Sequence, residues 1–413
     1  MEIDTPASTS TSPLPYLEQQ VSSAPEDLKP LWTKIKSSYE KKLWHNLTVQ
    51  LTEFVFTPGT GPYQIELFEK FISTIESRIN ALKLVEIARR VGREYTEPEL
   101  TLKFLQSLHS RLTSPYPIPA TEDNPGSPAP PPPASSAYAL SLSSIAYAQL
   151  LLGNLDECKK NLNECEKILN EQDTIIEPSV NAGYYGVAGD YYKVKADYAP
   201  YYKNALLYLA CVDTEKELSK DDQKSRAHDL CIAALLGETI YNFGELLQHP
   251  ILQTLVGTEW EWIKDLISSF NGGEIGKFES LANHLSNEPI LESSISFLRQ
   301  KICLMALIQT IFARPRDGSS RLMTFQTIGE ATRLPVNEVE HLLMKALSLS
   351  LIKGSLDQVD GTADISWVQP RVLEDNQLDT LTEQLDAWCN SVGKTQHQVE
   401  EQRKAAQLAV QVQ

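Results

Sequence analysis

Apolar positions along the chain recur with helical spacing over most of its length. From Leu31 they fall three and four residues apart, through Trp32, Ile35, Tyr39, Leu43 and Trp44, then Leu47, Leu51 and Phe54 to Phe56. Helices with one buried face leave this pattern. Pro58-Gly59 and Gly61-Pro62 interrupt it. It resumes over residues 65–85, as one long helix or as two joined near Asn80. Thr96 and Glu99 read as a capping box with Pro98 in the first turn, opening a helix that carries Leu100, Leu102, Leu105 and Leu108. Residues 1–28 are rich in Ser, Thr and Pro and are expected to form a loose, disordered tail. Residues 29–113 are expected to form N-terminal helical hairpins.

Residues 114–137 differ in kind. Nine prolines lie between Ser114 and Ser136, four of them consecutive. Such a run lacks backbone donors and cannot continue a helix, so it is expected to be an exposed loop or insert. Helical hairpins return over residues 138–315. Gly153-Asn154 and Gly272-Gly273 mark stops between paired helices, and small residues alternate with tyrosines from Tyr184 to Tyr202. Units of 30 to 40 residues without a strict consensus predict degenerate, tetratricopeptide-like hairpins stacked into a right-handed solenoid. Residues 290–312 predict one long, very apolar helix buried between the hairpins and the next domain.

The pattern changes at Leu322. A short apolar segment precedes Thr327 and Glu330, which read as a capping box. Two helices joined tightly at residues 333–335 come next. Then come two strand-like runs, 351–358 and 363–369, with Asp360-Gly361 as a hairpin turn between them. Strand, helix, helix, strand, strand is the plan of a winged helix, placed at residues 316–373. Beyond it, Leu378, Leu381, Leu385 and Trp388 put a narrow apolar stripe on a helix expected to end at residue 391, with a flexible tail from 392 to 413.

A winged helix raises the question of nucleic acid, and charge answers it. The chain has 413 residues and a net charge of −17. Across residues 320–375 five positive charges face eight negative ones, and Glu338 and Glu340 sit at the end of the second helix that would enter a groove. Phosphate backbones require the opposite balance. A nucleic-acid adaptor therefore stays only as the alternative from another class. An exposed strand edge, by contrast, can pair with another chain. Trp367 would either pack inward on the wing or anchor such an interface.

Enzyme chemistry finds no support. No phosphate-binding glycine loop, zinc-protease helix or nucleophile elbow occurs, and the histidines lack zinc-ligand spacing, so no cofactor or metal is expected. The six cysteines are dispersed, without a C-x-x-C pair, as in a reduced intracellular protein. The N-terminus lacks the apolar core of a signal peptide, and the purely apolar run 302–308 is too short to span a bilayer. A location in cytoplasm and nucleus is expected.

Several stretches resemble the PCI-domain family, the module shared by the proteasome lid, the COP9 signalosome and the translation-initiation scaffold. The resemblance rests on Thr327-Ile328-Gly329, on Val336 to Leu343 and on Leu351-Ile352-Lys353-Gly354, preceded by the hairpins. Gly237 to Leu255, Tyr184 to Tyr202 and Phe325 to Ile352 look most like a PCI subunit of the proteasome lid. The family implies a non-catalytic scaffold of the regulatory-particle lid in ubiquitin-dependent degradation. The runner-up is a scaffold in another PCI complex. Implied partners are other PCI subunits and the lid's deubiquitinase-containing dimer. The wing strands would make arc contacts, through Leu351, Ile352, Leu356, Ile365 and Trp367. The terminal helix would join a shared bundle, through Leu378, Leu381, Leu385 and Trp388.

Overall fold

The computed structural model of the chain describes residues 14–23, 25–26, 28–57, 59–113, 135–171, 176–214, 218–313, 321–372 and 375–411. It is mainly helical, with one small sheet near the C-terminus. Residues 1–217 and 218–413 form two compact units. The division falls inside the block 138–315 that reads as continuous repeats. The Pro-rich stretch, apart from its last residues, lies outside the described residues.

In the first unit the helices are α1 (Leu14–Ser23), α2 (Lys29–Glu40), α3 (Trp44–Phe56), α4 (Gly61–Leu67), α5 (Ala81–Val91), α6 (Pro98–Thr113), α7 (Ser135–Leu151), α8 (Leu155–Glu171), α9 (Pro178–Val194) and α10 (Tyr198–Cys211). The expected loose tail does not extend to residue 28. α1 is a helix whose Leu17 is fully buried and whose Tyr16 meets Trp32 edge-on at 6.3 Å. Its apolar stripe is short, so the Ser- and Pro-rich composition around it hides the signal. α4 runs on through a π turn (Phe68–Ile72) to a short 3-10 turn (Glu76–Arg78). The join near Asn80 is real: its Oδ1 accepts from the Leu82 amide at 2.9 Å and caps α5.

Neighbouring helices pack in sequence, α2 on α3, α7 on α8 and α9 on α10. Gly153, at φ +80°, turns the chain between α7 and α8 in a conformation that other residues resist. The small residues have a packing purpose too. A Cβ on Gly183 of α9 would lie 2.7 Å from Leu140 of α7, so the missing side chain lets the two helices close together.

The second unit holds α11 (Lys220–Leu236), α12 (Gly244–Gln248), α13 (Glu261–Gly272), α14 (Ile275–Leu281), α15 (Pro289–Ser293) and α16 (Ile295–Ala313). The long helix expected over 290–312 is broken at Ser294, which leaves the helical region to separate α15 from α16. α16 has 19 residues and is, among the described residues, the one helix long and apolar enough to cross a membrane by length and composition. It is a core helix here. It packs on α11, α13 and α14 and on the small domain after it, and it buries Lys301 near its middle.

That domain contains β1 (Arg321–Thr324), α17 (Phe325–Thr332), α18 (Val336–Ser348), β2 (Ile352–Asp357) and β3 (Thr362–Val368). The strands form one antiparallel sheet in the order β1-β3-β2. This arrangement is consistent with a winged helix. The last element is α19 (Asp375–Gln411), a single helix of 37 residues. The expected tail from residue 392 is therefore helical up to Gln411. Its Gln, Lys and Ala content reads as low complexity, yet these are good helix formers.

Candidate protein-interaction surfaces

The first surface is the winged helix. Its first helix begins earlier than the Thr327–Glu330 box predicts. Thr324 is the cap, its hydroxyl accepting from the Thr327 amide at 3.4 Å, while Phe325 tucks into the core. The strand ends on the residue that caps the helix, so no spacer is needed. α17 then stops at Arg333, which holds φ +54°. Periodicity puts Val339, Leu342, Leu343, Ala346 and Leu347 on the inward face of α18; the first four are buried and Leu347 is half-buried. Two side chains of its outer face are engaged, while Asn337, His341, Met344 and Ser348 stay exposed. Glu340 accepts from Gln358 at 3.0 Å, which ties the helix to the wing turn, and Lys345 donates to Gln300 of α16. The cation best placed to meet a phosphate is thus engaged internally.

The wing is shaped by a bulge. Lys353 faces Trp367, but Gly354 faces Ile365, so Ser366 is the extra residue. Its hydroxyl donates to the Lys353 carbonyl at 3.1 Å. Backbones approach so closely here that a Cβ on Gly354 would sit 2.1 Å from the Asp364 carbonyl oxygen. The bulge also flips the faces. Ala363 and Ile365 point into the core, whereas Trp367 stands beside exposed Lys353, whose Nζ lies 4.9 Å from its ring centroid.

These facts sort the predicted contact residues. Leu351, Ile352 and Ile365 are buried, so their side chains hold the domain together and cannot meet a partner. Strand alternation alone does not reveal this, because the bulge changes which face each residue takes. Leu356 and Trp367 are half-buried and reachable. β3 is the central strand, so its backbone has no open edge. The open edges belong to β2 and to β1, whose Leu322 is exposed.

The second surface is α19. Every described side chain from Leu381 to Arg403 is exposed, as is Leu378, so among the described residues this helix leaves its side chains largely open to solvent. Leu378, Leu381, Leu385 and Trp388 lie on one stripe, and Val392, Thr395 and Val399 continue it at the same alternating spacing. Trp388 is 67 % exposed and borders a shallow groove with Val392 and Val399. Its 37 residues give a rod about 55 Å long. A sustained stripe at about 3.5-residue average spacing suits a coiled-coil or bundle partner. The positions flanking it carry Thr382, Gln384, Cys389, Ser391, Gln396 and Gln398, none of them charged.

Among the described residues no group of three or more His, Cys, Asp or Glu could hold a metal ion. The cysteines there are all free, and burial pushes the Cys158 thiol up to about 11 and the Cys165 thiol up to about 12.

Comparison with known proteins adds independent findings. The family model of PSD13 N-terminal repeats matches residues 31–267, and the PCI domain model matches residues 278–367. The 26S proteasome non-ATPase regulatory subunit 13 homolog B of Arabidopsis thaliana is 39 % identical, over 94 % of this chain and 97 % of its own length. The probable 26S proteasome regulatory subunit rpn9 of Schizosaccharomyces pombe is 38 % identical, over 93 % of this chain and 95 % of its own. COP9 signalosome complex subunit 7 of Dictyostelium discoideum matches less, at 26 % identity over 39 % of this chain and 58 % of its own.

Proposed function

We propose a function from the premise that this chain belongs to the PCI-domain family, in the branch of proteasome non-ATPase regulatory subunit 13. It is a non-catalytic scaffold subunit of the 26S proteasome regulatory-particle lid and serves ubiquitin-dependent protein degradation. The observation that carries this reading is the near full-length similarity to proteasome subunits, against a match of under half the chain to a signalosome subunit. It works by assembling into a multi-subunit complex that contains PCI proteins.

The finer picture rests on the two surfaces. The successive helix pairs are read as tetratricopeptide-like hairpins of a right-handed solenoid. The open edge of β2, with Leu356 and Trp367, would dock a neighbouring PCI subunit by strand-edge and side-chain contact. The α19 stripe, starting at Leu378, Leu381, Leu385 and Trp388, would enter a helical bundle with other lid subunits, including the deubiquitinase-containing dimer. A cytoplasmic and nuclear location is proposed with this role. The test is purification of the tagged chain at mild salt with quantitative mass spectrometry. Lid subunits are expected in stoichiometric amounts; signalosome or initiation subunits in their place would overturn the assignment.

A further inference from the structure

α16 is the hub of the second unit, and one of its contacts is unlike the rest. Lys301 is 1 % exposed. Its Nζ donates to the carbonyl oxygens of Ala234 at 2.8 Å, Leu235 at 3.0 Å and Gly237 at 2.8 Å. These are carbonyls at the C-terminal end of α11, where helices leave acceptors unpaired and carry partial negative charge. An ammonium has three donors, one for each. Tyr241, Phe243 and Phe297 surround it, with ring centroids 5.3 to 5.8 Å away. No carboxylate among the described residues makes an ion pair with it.

Burying this amine is costly. Desolvation pulls its pKa down from the ordinary lysine range to about 7. A methionine would fill the same space without that cost, and buried ionic groups are often no more stabilising than apolar ones. What an apolar side chain cannot do is fix a register. Apolar packing between α16 and α11 is non-directional, whereas three bonds to three carbonyls at one helix end specify a single rotation and register. Other side chains of α16 hold the winged helix: Gln300 accepts from Lys345 of α18, and the Cys303 thiol lies 3.9 Å from the Thr332 carbonyl of α17. Arg371, just after β3, bonds Gln309 of α16 and the Asn271 carbonyl, the latter at 3.2 Å.

We propose that Lys301 is a positioning residue for the assembly platform: by ending α11 with three hydrogen bonds it sets the rotation and register of α16, and so the orientation in which the winged helix meets its neighbour. The clamp rests on the geometry alone; its consequence for assembly rests on the scaffold reading given above.

The test uses the full chain. K301M keeps the volume and removes the donors. It is expected to fold, to exchange the backbone amides of residues 233–240 at least about tenfold faster, a loss of roughly 1.4 kcal/mol of local protection, and to enter a lid lacking this subunit less completely than wild type. Unchanged exchange in a folded K301M would overturn the clamp. K301A covers the case in which K301M does not fold. Refolding it with n-propylammonium, which replaces the lost atoms, is expected to recover native protein where n-propanol does not. Equal recovery by both would reduce Lys301 to a space filler and overturn the proposal. If wild-type chain itself fails to enter the lid, the scaffold reading fails, while exchange and rescue still judge the clamp.

Discussion

At Gly354 the presence of a single methyl group would decide how the sheet closes. The Cβ it lacks would lie 2.1 Å from a backbone oxygen, which cannot rotate away as a side chain can. G354A is therefore expected to destabilise the second unit by about 2–3 kcal/mol, measured as a shift in urea midpoint, and to release the Lys353–Trp367 pairing on the outer face. An unchanged midpoint would mean that the bulge is not needed. The glycine is visible in the sequence, but the need for it is not, since the bulge arises from Ser366 on the other strand. Lys301 is a parallel case. In the sequence it is one charge inside an apolar helix, and its three acceptors lie more than sixty residues away.

At the scale of elements, helix ends and faces are largely readable where signals are local. Asn80, Gly153 and the buried face of α18 follow from capping, turn chemistry and periodicity. Sequence patterns mislead where a local signal is weak or duplicated. Thr324 and Thr327 both resemble caps, and strand pairing at Thr324 selects the first. The full length of α19 is hidden because its apolar stripe thins after Trp388, although Val392 and Val399 keep the spacing. The longer seam makes a specific expectation. L381E with L385E should weaken lid incorporation on native gels while circular dichroism stays helical. V392E with V399E should weaken it as well, because the rod offers one continuous stripe. Normal incorporation of the second variant would confine the interface to the first half.

For the whole molecule, charge and connectivity outweigh the fold's commonest association. A net charge of −17, with Lys345 engaged by Gln300, opposes binding to a duplex. A mobility-shift assay at low salt is expected to show no complex tighter than about 100 µM, the weak end of non-specific binding. A tight complex would overturn the reading of α18 as a brace for the wing.

The sequence by itself determined the helical class, the strand–helix–helix–strand–strand order and the acidic balance that disfavours nucleic acid. Each is a property of spacing or composition, which residues carry with them. The tertiary structure alone decided which strand is central, which predicted contact residues are buried and what Lys301 holds. Those depend on sheet order, on a one-residue bulge and on the carbonyl end of a helix more than sixty residues away in sequence, none of which has a local signature.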